Sequence, residues 1–257
     1  MNDGADSDTL LSRIEDASLN ASAPPQQRWL DGWLVRFNPG KAKRARCINA
    51  VATGRLPLPQ KLALAQQVFD AAGLPMVVRI TRFTQPPTLD AELAALGWAP
   101  LDDTRVMVCT ALAAGDAPPL PAGTRWQRLP AADYAQAVGL LRGSPPAQCA
   151  AHAERLALSP VPYQGYAVVR DADQAVLARG QFAAEADIVG LYDVFTHPDH
   201  RGQGLARLLC KRLLSISASQ GAKVAYLQAE ADNAAARHIY SGLGFADRYA
   251  YHYRQAP

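Results

Sequence analysis

The hydrophobic positions in the first half of the chain follow two different periods. Apolar, β-prone runs predict strands at residues 29–37, 45–52, 76–81 and 105–110. Apolar residues at helical spacing predict helices at residues 58–72 and 89–96, each followed by a glycine that is typical of a helix end. Residues 1–23 carry only a weak helical pattern, and their polar composition predicts a flexible N-terminal tail.

The second half is predicted to alternate strands with helices. β-Prone runs predict strands at residues 124–129, 166–170, 175–184, 188–196, 224–229 and 249–254. Helical spacing predicts helices at residues 131–141, 147–158, 205–218 and 234–241. This order of elements predicts an α/β protein of the α+β type, in which a mixed central sheet is flanked by helices on both faces.

A stretch rich in alanine, proline and glycine separates the two halves. Residues 113–123 contain three prolines and two glycines, which is typical of a stiffened linker. The sequence therefore predicts one domain over residues 24–112 and a second over residues 124–257.

The two halves also resemble each other in the order of their elements. In each, a glycine precedes a β-run, a short helix and a glycine–aromatic pair, at residues 73–98 and 221–245. Aligning the two pairs places Leu93 where Tyr240 stands. An echo of this length also arises by chance in α/β chains, so a degenerate repeat and a coincidence both remain open.

Composition limits the classes of protein that this chain can belong to. The 257 residues are 49% hydrophobic and 19% charged, as in a globular protein with a sizeable core. A net charge of +3, without a basic stripe that includes aromatic residues, argues against nucleic-acid binding. No run of apolar residues is long enough to cross a membrane, and no secretory signal is recognisable, so we expect a cytoplasmic protein without a membrane partner.

The four cysteines are widely spaced and form no C-x-x-C pair. We expect them to be reduced, mostly buried thiols rather than catalytic nucleophiles. No cluster of histidines and cysteines has the spacing of metal ligands, so no metal is expected.

A glycine-rich turn between a predicted strand and a predicted helix carries the strongest chemical signal. It is the segment Arg201, Gly202, Gln203, Gly204, Leu205 and Ala206. The backbone N–H groups at such a turn have no partner within the helix, and the helix dipole adds positive potential, so the turn can hold a phosphate group. The two glycines let a pyrophosphate approach the backbone, and Arg201 adds a positive charge.

Other interpretations of this turn exist. It lacks the Lys-Ser or Lys-Thr of a P-loop, and its glycines do not have the G-x-G-x-x-G spacing of a dinucleotide site. An ordinary tight turn before a helix would also explain the glycines.

The turn and the segment after it together resemble the GCN5-related N-acetyltransferase (GNAT) family. The family's R/Q-x-x-G-x-G/A loop is matched by Arg201, Gly204 and Ala206, and its later segment by Asn233, Tyr240, Gly244 and Phe245. The resemblance covers residues 124–254 and is fainter over residues 29–110. It implies a mostly antiparallel GNAT-like sheet in two tandem halves, of which the N-terminal half is degenerate and catalytically silent.

The resemblance also implies acetyl-CoA as the co-substrate and a set of residues that would hold it. These are the backbone groups of the glycine turn, the main chain of Val194, Phe195 and Thr196, and the side chain of Asn233. Asn is also a favoured N-cap residue, so Asn233 is equally expected to begin the helix that follows it. The two roles are compatible.

Acetyl transfer to a primary amine needs a proton acceptor, because such an amine is mostly protonated at neutral pH. Asp193, Glu185 and Glu230 are the candidates, and each could instead be a solvated or capping carboxylate. Tyr240 stands at the family's usual position for the acid that protonates the leaving thiolate, although it could instead be a core aromatic residue.

We therefore expect an acetyl-CoA-dependent N-acetyltransferase in which the amine attacks directly within a ternary complex. A small-molecule amine is the favoured acceptor, and the sequence leaves open whether the protein forms a homodimer. The alternatives are a non-catalytic acyl-CoA-binding regulatory module and a nucleotide-binding oxidoreductase, the second of which the glycine spacing disfavours.

Overall fold

The computed structural model describes residues 3–112, 115 and 119–257, with side chains from residue 7 onwards. The chain divides into two compact units, each built from separate pieces of the sequence. Unit 1 contains Met1–Ala21 and Val106–Arg248, and unit 2 contains Ser22–Arg105 and Tyr249–Pro257.

The helices and strands are numbered in chain order. The helices are α1 Asp3–Ala21, α2 Leu58–Ala72, α3 Leu89–Ala95, α4 Ala131–Arg142, α5 Pro146–Ala157, α6 Leu205–Ser219 and α7 Ala234–Ser241. The strands are β1 Gln27–Leu30, β2 Trp33–Arg36, β3 Ile48–Ala50, β4 Val77–Thr81, β5 Ala99–Cys109, β6 Thr124–Leu129, β7 Tyr163–Arg170, β8 Val176–Glu185, β9 Ile188–Thr196, β10 Val224–Glu230 and β11 Ala246–Gln255. Short 3₁₀ turns lie at Lys43–Ala45 and Pro198–His200.

Unit 2 contains strands in the order β1-β2-β3-β4-β11. The neighbouring pairs are antiparallel except β3 and β4, which are parallel and joined by α2. The single strand predicted over residues 29–37 is instead a hairpin, because Asp31 and Gly32 both have positive φ angles and turn the chain between β1 and β2.

Unit 1 contains strands in the order β5-β10-β9-β8-β7-β6. The β6–β7, β7–β8 and β8–β9 pairs are antiparallel, whereas β9 and β10 are parallel and joined by α6. Val168 packs into the core that includes α6, while its neighbours Ala167 and Val169 pack into the core that includes α4. Because successive residues of a strand face opposite sides of the sheet, helices cover both faces, and the predicted fold class is confirmed.

The same order of elements occurs in both units. A strand, a helix, a parallel strand and a short helix follow one another as β3-α2-β4-α3 and as β9-α6-β10-α7. In each case a glycine with positive φ and an aromatic residue follow the short helix, at Gly97-Trp98 and Gly244-Phe245.

The prediction of a flexible tail over residues 1–23 is wrong for the part that the structure describes, because Asp3–Ala21 form helix α1. Leu11, Ile14, Ala17 and Ala21 lie on one apolar face of this helix and are buried. The hydroxyl of Tyr163 donates a hydrogen bond to the carbonyl of Ala21 at 2.7 Å, which fixes the end of the helix in unit 1.

The compact units also differ from the predicted domains of 24–112 and 124–257. The chain passes between units at residues 21/22, 105/106 and 248/249; the last two crossings lie within β5 and β11, and none lies at the predicted linker. The hydrophobic period of a sequence predicts which residues form a strand, but it does not predict to which unit each end of that strand belongs. Part of the linker predicted over residues 113–123 lies outside the described residues.

Candidate active site

Strands β9 and β10 pair at one end and separate at the other. Their parallel register joins Val224, Ala225 and Tyr226 to Ile188, Val189 and Gly190. Residues 191–196 of β9 and 227–230 of β10 extend past this register. The facing edges of the two strands therefore carry backbone groups that are not used between them, and a ligand with amide groups can pair with such an edge.

A β-bulge marks the point at which β9 leaves the register. Gln181 faces Tyr192 and Arg179 faces Phe195, so Asp193 and Val194 together lie opposite the single residue Gly180. Asp193 has a φ of 51°, in the left-handed region, which is uncommon outside glycine. Bulges of this kind redirect side chains and end strand pairing, often next to active sites.

Two buried side chains hold the bulge in place. Nη1 of Arg179 donates a hydrogen bond to the carbonyl oxygen of Asp193 at 3.0 Å, and the hydroxyl of Tyr134 donates to the same oxygen at 3.2 Å. Arg179 is 0% exposed and Tyr134 is 1% exposed. The side-chain amide of Gln181 donates to the carboxylate of Asp193 at 3.0 Å. Both the backbone and the side chain of Asp193 are therefore positioned by partners from β8 and α4.

The glycine turn has the open geometry that a phosphate site requires. Gly202 and Gly204 have φ angles of 74° and 75°, and a Cβ built on either would have no atom within 4 Å. The N–H of Leu208 donates to the carbonyl of Gly204 at 3.1 Å, which is the first hydrogen bond of α6. The N–H groups before Leu208, including those of Leu205 and Ala206, thus lie at the positive end of the helix.

Arg201 lies between the turn and β9. Its Nε atom donates to the carbonyl of Thr196 at 3.4 Å, and its guanidinium group lies 5.7 Å from the centre of the Phe195 ring. The side chain stays exposed, so it keeps a positive charge beside the glycine turn. The hydroxyl oxygen of Thr196 is buried and has no hydrogen-bond partner in the described part of the chain.

Asn233 is the N-cap residue of helix α7, which is one of the two roles predicted for it. Its side-chain oxygen accepts a hydrogen bond from the N–H of Ala236 at 3.1 Å, and the residue is exposed. The N-cap prediction is confirmed, whereas contact with a co-substrate stays a prediction. Glu230, at the end of β10, is also exposed to solvent.

Tyr240 lies on α7, with a half-buried ring that packs against the core of unit 1. The ring meets Phe245 edge-on, with centroids 6.2 Å apart. Burial, with a smaller contribution from Cys210, raises the pKa of the Tyr240 hydroxyl well above its usual value. The hydroxyl therefore carries its proton at neutral pH, and within the described residues no group hydrogen-bonds to it. It is free to donate to a ligand.

Asp193 lies in a mostly positive environment. Burial acts to raise the pKa of its carboxyl group, but His152 and the guanidinium groups of Arg142, Arg155 and Arg179 outweigh burial and hold the pKa below its usual value. Nη2 of Arg142 lies 3.4 Å from one carboxylate oxygen, and Nε2 of His152 lies 3.9 Å from the other. Asp193 is consequently an ionised carboxylate and a weak base.

His152 was not expected from the sequence. It lies on α5, and burial lowers its pKa to about 4, against the opposing effect of Asp193 and with smaller contributions from nearby guanidinium groups, so its ring is neutral at pH 7. Arg155 and Arg179 were missed as well. The signal available in the sequence was the spacing of His152 and Arg155 on one face of an otherwise alanine-rich helix.

The cysteines behave as expected. All four are free, and Cys47, Cys109 and Cys210 are buried. Burial raises the pKa of Cys47 to about 11 and that of Cys210 to about 12, so both remain thiols and poor nucleophiles. Within the described residues, no three or more His, Cys, Asp or Glu side chains are grouped as metal ligands. None of the helices described is both long and apolar enough to span a bilayer.

Comparison with known sequences gives a match over nearly the whole chain. Residues 11–254 match the family described as "Probable histone acetyltransferase Rv0428c C-terminal". The uncharacterized N-acetyltransferase YobR of Bacillus subtilis (strain 168) is 24% identical over 230 residues, which cover 89% of this chain and 91% of that protein.

Two solved structures share the fold. A GCN5-related N-acetyltransferase from Kribbella flavida superposes with a TM-score of 0.67 at 18% identity, covering 95% of each chain. A tandem GNAT protein from the clavulanic acid biosynthesis pathway superposes with a TM-score of 0.62 at 17% identity, covering 79% of this chain and 71% of that one.

Proposed function

Because the chain belongs to the family of the probable histone acetyltransferase Rv0428c C-terminal part, and is thus a GNAT-type N-acetyltransferase, we propose that it moves an acetyl group from acetyl-CoA to a primary amine. The observation that carries this proposal is the open glycine turn at the start of α6, which lies directly after the strand that separates from β10. We further propose that the acceptor is a small molecule and that unit 2 is catalytically silent.

Binding of acetyl-CoA is assigned to two backbone surfaces of unit 1. The N–H groups of residues 202–206 would hold the pyrophosphate, because they have no backbone partner among the described residues at this helix N-terminus and no described side chain fills the space above Gly202 and Gly204. The unpaired edge of β9 at Val194, Phe195 and Thr196 would bind the amide groups of the pantetheine arm. Arg201 would add charge complementarity, and Asn233 would contribute from the end of β10.

The transfer itself requires the amine nitrogen to attack the thioester carbonyl. Acetyl-CoA supplies the activated acyl group; the C–N bond forms, the C–S bond breaks, the nitrogen releases a proton and the sulfur takes one up. Tyr240 would donate the proton that the sulfur takes up and would regain one from the nitrogen, since its hydroxyl is protonated and has no hydrogen-bond partner among the described residues. An N–H group at the bulge of β9 would stabilise the negative charge on the carbonyl oxygen.

The proton of the attacking ammonium group must leave before or during attack. Asp193 and Glu230 are the proposed acceptors, and the position of Asp193 at the bulge favours it. Because the pKa of Asp193 is lowered, this carboxylate would bind the ammonium group and pass its proton to water instead of keeping it. The proton of the ammonium group is therefore finally released to the solvent.

The proposed silence of unit 2 is supported by the loop before α2, which occupies the position in the element order that the glycine turn has before α6. The N–H groups of Arg55 and Leu56 already donate to the carboxylate of Asp31, at 2.9 and 2.8 Å. A Cβ on Gly54 would lie 2.3 Å from the same carboxylate, so this loop is filled. Lys61 completes the cluster by pairing with Asp31 at 3.1 Å. An internal anion thus occupies donors that a phosphate would need.

Binding and turnover test the proposal separately. Thermal unfolding should be measured with acetyl-CoA, CoA and NAD, since a ligand at 100 times its Kd stabilises the folded state by about 2.7 kcal/mol. We expect Tm to rise with acetyl-CoA and CoA and not with NAD. Calorimetric titration with CoA should give one site per chain, and two sites would contradict a silent unit 2.

Turnover should then be followed as free CoA released in the presence of a panel of amines. Release that depends on the amine supports the transferase. Tight CoA binding with no acetylation of any amine would instead support the regulatory acyl-CoA-binding alternative. A Tm shift with NAD alone would contradict both.

A further inference from the structure

Among the described residues, the named charged neighbours of Asp193 are all positive or can become positive. Three guanidinium groups, those of Arg142, Arg155 and Arg179, act on one carboxylate. Arg142 pairs with it directly at 3.4 Å, and its side chain is 44% exposed. Arg155 and Arg179 are more than nine-tenths buried. A buried charge is costly unless a partner of opposite charge lies next to it.

Arg179 uses only part of its hydrogen-bonding capacity. Its Nη1 atom is bound to the carbonyl of Asp193, whereas Nε and Nη2 are buried and have no partner among the described residues. The guanidinium group also lies 5.2 Å from the centre of the Phe195 ring, on the strand segment that follows the bulge. Buried N–H donors without an acceptor are rare in folded proteins and call for an explanation.

Arg155 has no carboxylate of its own. The guanidinium group lies 6.0 Å from the centre of the Tyr163 ring, and no described Asp or Glu lies within ion-pair distance of it. The neighbouring His152 also has a buried Nε2 atom without a hydrogen bond. Buried nitrogen atoms without a partner, Nε2 of His152 on α5 and Nε and Nη2 of Arg179 on β8, thus lie in the environment of Asp193.

We propose that this cluster, Arg155 with Arg179 and His152, binds the carboxylate of the acceptor, so that the acceptor is an amino acid. The proposal rests on the proposed function, because Asp193 and Phe195 belong to the strand segment assigned to the transfer site. Guanidinium groups match a carboxylate in both charge and geometry. Arg155 and Arg179 bring the positive charge, and Asp193 is left to face the ammonium group of the same molecule.

The size of the acceptor follows from the same geometry. A carboxylate that reaches side chains more than nine-tenths buried must belong to a small molecule. The carboxylate and the reacting amine must then be only a few bonds apart, as they are in an α-amino acid. A lysine side chain within a protein carries no such carboxylate next to its amine.

The test compares acceptors that differ only at the carboxylate. For each of several amino acids, acetylation by the full chain should be measured alongside the corresponding amide and the decarboxylated amine. We expect kcat/KM to be about 10- to 100-fold higher for the free acid, which corresponds to one charge-assisted pair. Equal kcat/KM for acid, amide and amine would overturn the carboxylate site and leave the transferase intact.

A set of matched variants identifies the residue that is responsible. Arg155→Gln should raise KM for the acid about 10-fold or more without changing that for the amide, and Arg155→Lys should restore part of the loss. Arg128→Gln, an exposed position on β6 with the same change in charge, should leave both unchanged. An equal rise in KM for the acid and the amide in Arg155→Gln would contradict the role of Arg155 in binding the carboxylate.

Binding gives a second readout that does not need turnover. With CoA present, amino acids should raise Tm for the wild type more than their amides do, and Arg155→Gln should remove the difference. If no amine is acetylated but this difference remains, the transferase proposal fails and the carboxylate site stands. If the difference is absent, the carboxylate site fails.

Discussion

The guanidinium group of Arg179 hydrogen-bonds the backbone carbonyl of Asp193 at 3.0 Å, from a position with no solvent exposure. This contact joins two neighbouring strands at the place where one of them carries an extra residue. A left-handed φ at a non-glycine residue costs on the order of 1–3 kcal/mol and persists only when its surroundings fix it. Arg179 restrains this backbone through a hydrogen bond from a charged donor, and Tyr134 restrains it through a hydrogen bond from a neutral donor.

We predict that Arg179→Met lowers kcat/KM for acetyl-CoA by about tenfold or more, because the bulge loses a charge-assisted hydrogen bond worth more than a neutral one. Tyr134→Phe removes only the 3.2 Å hydrogen bond from the tyrosine hydroxyl to the carbonyl of Asp193, so it should lower kcat/KM for acetyl-CoA by a smaller factor. Steady-state kinetics at a fixed amine concentration give the comparison, with thermal unfolding as the check on folding. Wild-type kinetics in a folded Arg179→Met would show that the bulge does not depend on this side chain.

The glycine turn can be tested without confusing backbone strain with lost binding. Gly204→Ala adds a Cβ at a residue with a φ of 75° and intrudes on the proposed pyrophosphate site. We expect Kd for CoA to rise about tenfold or more, measured by calorimetry. Gly73, which ends α2 in unit 2, has a similar φ of 63° and equally open space, so Gly73→Ala imposes similar strain away from the site. The prediction fails if both variants weaken CoA binding alike.

Tyr240→Phe tests the proposed proton donor. Removing only the hydroxyl should lower kcat by about 100-fold, the usual scale of a general acid, and leave Kd for CoA nearly unchanged. Rapid-quench or steady-state measurement of CoA release determines kcat. Tyr166→Phe, at another half-buried tyrosine of unit 1, is the matched control and should retain wild-type activity. An unchanged kcat in Tyr240→Phe would assign the ring to packing alone.

His152 should make the protein sensitive to mild acid. Burial lowers its pKa to about 4, against about 6.5 in an unfolded chain, so between these values the unfolded state binds more protons. The free energy of unfolding is then fully retained above pH 6.5 and falls as the pH drops towards 4, by roughly 3 kcal/mol.

Urea denaturation at a series of pH values between 7 and 4 measures this dependence. His152→Gln should flatten the curve within that window, whereas His238→Gln, at an exposed position on α7, should not. If the free energy of unfolding of the wild type does not change between pH 7 and pH 4, His152 is not buried and the prediction is wrong.

The sequence predicted the parts of the site that depend on local pattern. The glycine turn, the strand before it and the helices on either side of β10 lie where periodicity and helix-end residues put them. Asn233 could be assigned as an N-cap because the preference of asparagine for that position is local.

The environment of Asp193 could not be predicted in the same way. His152 and Arg155 come from α5, Arg179 from β8 and Arg142 from the end of α4, so their meeting depends on tertiary packing. The bulge could not be predicted because residues 188–192 of β9 are buried on both faces, so the strand has no alternation of apolar and polar residues that an inserted residue would visibly shift. Helix α1 was not predicted because its apolar face is short, and the helix is stabilised mainly by packing against the rest of unit 1.

The passage of β5 and β11 between the units has a consequence for how the protein can be made and divided. Unit 2 lacks residues 249–257 until residues 106–248 of unit 1 have been synthesised, so it cannot finish folding first on the ribosome. For the same reason, a cut within residues 113–123 releases two fragments that are each missing a strand segment, and the C-terminal one also loses α1. Neither fragment alone therefore contains a whole unit, and both fragments must be expressed together for either unit to be complete.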